Sequence, residues 1–171
     1  MQLLVIRHAI AEERDEFATT GRDDAERPLT DEGRAKMRRA VEGLRCLVPK
    51  LDLLAASPYT RAAQTAEIVG QGYDVGGDLI KTVESLVPDA PLERFQSWLQ
   101  RQSQTRVLAI VGHEPHLGQL VTWLMTGLRE SRVELKKGGA CLLDFDGQPG
   151  PGVGVLRWLM TNGQLRDLGR R

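Results

Sequence analysis

The chain has 171 residues, 41% of them hydrophobic, enough to bury a core within a single domain spanning 1–171 without a disulfide or a structural metal. Lys plus Arg and Asp plus Glu both number 23, so no overall basic field invites nucleic acid and no acidic excess suggests disorder. No apolar stretch reaches the roughly 20 residues of a membrane span, and the start lacks a basic segment followed by a signal-type apolar core, so a cytoplasmic protein without a membrane partner is expected.

Leu3 to Ile6 form an apolar run that suits a strand buried on both faces. Arg7 and His8 then stand at its carboxyl edge, where ligands bind in open α/β sheets. The charged stretch 11–33 is expected to be a long loop, and long ordered loops are commonly functional. Thr30 suits the cap of a helix over 31–48, with Asp31 and Glu32 matching the positive end of its dipole. Met37, Val41, Leu44 and Val48 follow at helical spacing, and Pro49 stops the helix. Residues 51–57 predict a second buried strand, and Ser57 before Pro58 has the form of a cap and first residue for a helix over 58–69. Residues 78–83 suggest a short third strand. "PLERFQSWLQRQ" predicts a helix with Leu92, Phe95, Trp98 and Leu99 on one side.

The opening pattern returns at 107–111, an apolar strand followed by a turn and a helix from Pro115 to about Met125, with Gly127 as its cap. Two final strand-like runs, "ACLLDFD" and "VGVLRWLM", are joined by "GQPGPG", whose composition suits a hairpin. Strand and helix alternation therefore predicts a three-layer α/β/α sandwich with a mostly parallel central sheet and an antiparallel edge. Cys46 and Cys141 lack CxxC spacing and read as buried reduced thiols. Trp98, Trp123 and Trp158 fall in regular elements and are expected in the core.

Three strand ends converge on one edge: Arg7 and His8 after the first strand, Arg61 after the second, and His113 after the strand at 107–111. Arg61 falls in the first turn of its helix, where a cation opposes the dipole. A residue that breaks a local rule points to a site, and an anion there resolves the conflict, because helix N-termini and arginine forks both bind phosphate. His116 follows His113 by three positions, but "HEPH" lacks the HExxH spacing and Pro115 more simply opens the helix, so no metal is assigned.

"RHA" at 7–9, "RPLTDEG" at 27–33, "SPYTRAAQTA" at 57–66 and "VGHEP" at 111–115, in this order, resemble the motifs of the histidine phosphatase superfamily, also called phosphoglycerate mutase-like. Ala9 stands where that superfamily has glycine, which is read as a feature of its short, single-domain phosphohistidine phosphatase branch. The resemblance implies that His8 is the nucleophile and becomes phosphorylated. It further implies that Arg7, Arg61 and His113 bind the phosphoryl group, with no metal or other cofactor. The chemistry agrees: a neutral imidazole can attack near pH 7, two arginines can neutralise the phosphoryl oxygens, and a protonated His113 can donate a further hydrogen bond.

Larger members of that superfamily use a glutamate to protonate the leaving group. Here the candidates for a general acid are Glu84 and Asp89, with no long insertion to hold either over the pocket. Alkoxide leaving groups need that proton, whereas the imidazole of a phosphohistidine can leave as a neutral ring. The expected activity is therefore a metal-independent phosphohistidine phosphatase acting on a phosphorylated protein such as a histidine-phosphotransfer domain, as a monomer. The alternatives are a phosphatase for small phosphomonoesters and a noncatalytic phosphate-binding module.

Overall fold

The computed structural model describes residues 1–76, 79–102 and 104–170. In chain order the elements are β1 (Gln2–Arg7), α1 (Arg14–Ala18), α2 (Asp31–Leu47), β2 (Leu53–Ala56), α3 (Thr60–Gly72), β3 (Ile80–Thr82), α4 (Leu92–Gln100), β4 (Val107–Gly112), α5 (His116–Thr126), β5 (Ala140–Asp144), β6 (Val155–Met160) and α6 (Asn162–Leu168). The strands form one sheet in the order β3-β2-β4-β1-β5-β6. β1 and β4 pair in parallel, as do β2 and β4 and β2 and β3, while β5 runs antiparallel to β1 and to β6. This is the sandwich with an antiparallel edge that the alternation predicts.

The two continuous apolar runs occupy the sheet centre because they need cover on both faces. Leu3 to Ile6 and Leu108 to Val111 are fully buried. Their side chains divide between two cores: Leu4 and Ile6 join the cluster with Met37, Val41 and Leu44 of α2, and Leu3 and Val5 join the one with Phe95 and Leu99 of α4 and Leu120 and Leu124 of α5. Each such aliphatic side chain contributes about 1.5–3 kcal/mol relative to exposure. No helix of the described residues is long and apolar enough to cross a membrane.

Local signals hold at several ends. The Thr30 hydroxyl accepts from the Gly33 amide at 3.0 Å, and Gly127 ends α5 with φ 78°. Four readings are corrected. The stretch 11–33 is a structured excursion and not a bare loop: it carries α1 and a 3-10 turn at Asp24–Glu26, and an isolated bridge between Ala11 and Leu29 closes it. The second helix starts at Thr60, two residues after Pro58: its first backbone bonds run from the Ala62 and Ala63 amides to the Tyr59 carbonyl, and the Ser57 hydroxyl meets His113 and the Tyr59 amide. Cys46 is exposed on α2, whereas Cys141 is buried. The third strand is shorter than expected, and of the residues assigned to it, 78 lies outside the described ones.

α6 has no counterpart in the sequence reading. It is held by a capping box between Thr161 and Gln164 and by packing on α2, where a side chain at Gly43 would collide with the Leu165 carbonyl. Of the tryptophans, Trp123 is buried, and Trp98 and Trp158 are half-buried against the two cores.

Candidate active site

The register of β1 on β4 pairs Arg7 with Gly112, so His8 and His113 emerge side by side at the carboxyl edge. Their ring centroids are 5.2 Å apart. β2 ends beside them and delivers Ser57 and, through the first turn of α3, Arg61. A cavity of about 180 Å³ opens here, lined by Arg7, His8, Arg61 and His113. The structure thus brings together the four residues singled out from their strand ends. A larger cleft of about 870 Å³ lies at the opposite edge of the sheet, around Met1, Asp52 and Arg106, and holds no histidine.

His8 is 6% exposed, and its Nδ1 lies 2.8 Å from the Ala9 carbonyl oxygen. A carbonyl can only accept, so Nδ1 carries the hydrogen and the lone pair resides on Nε2. Burial, reinforced by the charges of Arg61, Arg7 and Arg27, lowers the pKa of His8 from 6.5 to about 3 against the opposing Ala9 hydrogen bond. The ring is therefore neutral at pH 7, as a nucleophile requires. The Ala9 amide is itself held by the Thr65 hydroxyl at 3.0 Å, which fixes the backbone that orients the ring.

His113 differs from expectation. Burial first, then the neighbouring His8 and Arg61, lowers its pKa to about 2, so the ring is neutral and not a standing imidazolium. Its Nε2 meets Ser57 Oγ at 2.8 Å, and that oxygen also accepts from the Tyr59 amide at 3.3 Å. With the serine hydroxyl donating to Nε2, the ring hydrogen sits on Nδ1. That atom has no partner within the chain, and neither do Arg7 Nε and Arg61 Nε, although all three are buried. Buried N–H donors left unsatisfied are costly. All three belong to residues that line the same small cavity.

The guanidinium groups are anchored through their other nitrogens. Arg7 Nη1 donates to the Leu135 carbonyl at 2.7 Å. Arg61 is 2% exposed, with Nη1 on the Asp24 carbonyl at 2.7 Å and Nη2 on the Asp24 carboxylate at 3.0 Å. Asp24 also receives Arg27 Nε at 2.8 Å and faces Arg14 at 3.5 Å. Burial would raise the Asp24 carboxyl, but the Arg27 hydrogen bond and the charges of Arg61, Arg27 and Arg14 outweigh it and hold it below the usual range. The structured excursion thus acts as a brace: its Asp24 organises the arginines that would otherwise repel one another.

Arg14, Arg27 and Lys137 also line the cavity, as do Glu13, Pro88 and Glu114. None of these was singled out from the sequence as a site residue, although Arg27 opens the quoted "RPLTDEG" and Glu114 lies within "VGHEP". Glu84 and Asp89, the candidates for a general acid, are exposed and stand outside the cavity lining; Pro88 alone from their segment reaches it. His116 is buried in α5 and does not line the cavity. No group of three or more metal-ligating side chains occurs among the described residues.

Residues 3–86 match the model of the histidine phosphatase superfamily (branch 1). An uncharacterized protein of Picosynechococcus is 32% identical over 141 residues, covering 81% of this chain and 82% of that one. The phosphohistidine phosphatase SixA of Escherichia coli K12 is 25% identical over 168 residues and 97% of each chain. Among solved structures, the protein histidine phosphatase SixA complexed with tungstate superposes with a TM-score of 0.82 at 24% identity, over 96% of this chain and 99% of that one. The alpha-ribazole phosphatase of Shigella flexneri gives 0.73 at 19% identity, over 95% and 97%.

Proposed function

The chain belongs to the histidine phosphatase superfamily, and from that premise we propose that it is a phosphohistidine phosphatase that works through a phosphorylated His8. The observation that carries the proposal is the cavity in which a neutral His8, its Nδ1–H committed to Ala9, shares the lining with three residues that each keep a buried, unpartnered N–H donor.

In the first step the His8 Nε2 lone pair attacks phosphorus, and the bond from phosphorus to the substrate's leaving atom breaks with its electron pair passing to that atom. Arg7, Arg61 and His113 donate to the phosphoryl oxygens as charge moves onto them. Water then attacks the phosphorylated His8, releases inorganic phosphate and returns the ring to its neutral form. Each role falls to a residue of this chain, and no step calls for a bound metal.

Support for phosphohistidine as the substrate comes from the carboxylates. Glu84 and Asp89 stand outside the cavity, Glu114 accepts a backbone amide at each oxygen, at 2.9 Å from Leu135 and 3.3 Å from Gly118, and Glu13, the other lining carboxylate, faces Lys137 at 4.0 Å. A phosphorylated imidazole already protonated on its other nitrogen leaves without an acid, whereas an alkoxide does not. A second reading, a small-phosphomonoester phosphatase, draws on the fold shared with the alpha-ribazole phosphatase.

The deciding experiment is single turnover on a histidine-phosphotransfer domain carrying [32P]phosphohistidine, beside a panel of sugar and amino-acid phosphates. Label passing to wild-type protein and absent from His8→Ala, with the panel turned over slowly, is the expected result. Turnover of the panel alone would overturn the substrate assignment, and undiminished turnover by His8→Ala would overturn the mechanism.

A further inference from the structure

Glu114 lines a cavity that the proposed function gives to a phosphoryl group, and an anion there repels the ligand. Such a conflict calls for a countervailing role. Its position supplies one. Glu114 follows His113 directly, is half-buried, and reaches across to the segment 127–139, which contains neither helix nor strand. One carboxylate oxygen accepts from the Leu135 amide at 2.9 Å, and the other accepts from the Gly118 amide at 3.3 Å in the first turn of α5. Leu135 is fully buried, and its carbonyl is the acceptor that holds Arg7 Nη1 at 2.7 Å. A single residue thus links the carboxylate to the guanidinium.

We infer that Glu114 is a positioning residue for Arg7: by pinning the Leu135 amide it steadies the residue whose carbonyl holds the guanidinium at the cavity. This rests on the reading of Arg7 as a phosphate ligand. An irregular segment has no ladder of its own to set the direction of its peptide groups, so single hydrogen bonds set it. The Gly138 amide meets the Arg7 and His8 carbonyls at 3.2 and 3.0 Å, the Leu135 side chain packs in the core with Phe95 and Leu99, and Glu114 holds the Leu135 amide. Burial raises the Glu114 carboxyl above its ordinary range against the Leu135 hydrogen bond, the charge of Arg7 and the Gly118 hydrogen bond, so the leaving-group arm of the test below separates an acid from a positioning residue.

The test is a double-mutant cycle on vanadate inhibition and on kcat with an aryl phosphate, using wild type, Glu114→Ala, Arg7→Ala and the double variant, with melting temperatures as a check on folding. Glu114→Ala is expected to weaken vanadate about tenfold in wild type and less than twofold in the Arg7→Ala background. Glu114→Gln, which keeps one acceptor oxygen, is expected to lie between wild type and alanine, and it carries the cycle if the alanine variant does not fold. Equal losses in both backgrounds, or unchanged vanadate affinity in a folded Glu114→Ala, would overturn the inference while leaving Arg7 as a ligand. Vanadate affinity unchanged in Arg7→Ala would instead overturn the reading on which it rests. A loss confined to poor leaving groups, with vanadate unaffected, would make Glu114 the acid and also overturn it.

Discussion

The low pKa of His8 makes a stability prediction that is independent of activity. Above pH 6.5 the ring is neutral whether the chain is folded or unfolded, so it contributes no pH dependence. Below 6.5 the unfolded chain takes up a proton that the folded one refuses until about 3, and stability falls as pH drops through that window. One such group costs about 1.4 kcal/mol per pH unit, hence about 2 kcal/mol at pH 5. Replacing His8 by Asn, which keeps a donor for the Ala9 carbonyl but does not titrate, removes this component and leaves that of His116 in place, while His113 loses the influence of His8 and keeps the burial that is its main cause. Urea unfolding of wild type and His8→Asn at pH 7.5 and pH 5 measures the difference of differences, which cancels any fixed cost of the substitution. The wild type should lose about 2 kcal/mol more than the variant on acidification, a midpoint change of roughly 1 M urea at ordinary slopes. Parallel losses in the two proteins would refute the claim that burial and the arginines keep His8 neutral.

Arg61→Ala should weaken vanadate inhibition by about tenfold or more, since it removes a charge-assisted donor worth about 1.5–3 kcal/mol, and inhibition curves measure it directly. Glu84→Gln and Asp89→Asn, both outside the cavity, should leave phosphohistidine turnover within about twofold of wild type, because general acid help is typically worth 100-fold or more. Gly43→Ala should lower the melting temperature by several degrees through its collision with the Leu165 carbonyl, an overpacking cost of about 1–3 kcal/mol, while kcat at room temperature holds.

The sheet centre and Arg7, His8 and His113 are legible because a chain that spends four apolar residues in succession and then turns to Arg-His or Gly-His marks a strand exit, and Arg61 is legible because a cation in the first turn of a helix opposes its dipole. α6 was not legible. Its sequence, NGQLRDL, has one buried apolar residue, Leu165, and its place is set by close approach to Gly43, a tertiary contact with no periodic signature. The excursion between β1 and α2 misled for a related reason. Its charge argued against packing, yet Arg27 is buried at 7% because Asp24 and the Glu12 carbonyl satisfy it. Ser57 reads from the sequence as a helix cap first and a pocket neighbour second, and its hydroxyl meets both the nearby Tyr59 amide and His113, far away in sequence. The protonation of His113 lay beyond sequence altogether, since it depends on desolvation and on which charges face the ring.

His8 and His113 each stand one position beyond the paired residues Arg7 and Gly112, and the His8 amide continues the ladder onto the Gly112 carbonyl at 3.0 Å. Neighbouring strands run about 4.8 Å apart. The 5.2 Å between the two rings therefore reflects the lattice spacing of the sheet more than the course of any loop. Arg14, Glu13 and Lys137, which also line the cavity, come from segments outside the sheet. The spacing of the two histidines is thereby set independently of the segments that supply these charges. A slip of one residue in β1, by contrast, would turn His8 to the opposite face and disassemble the reaction centre in a single step.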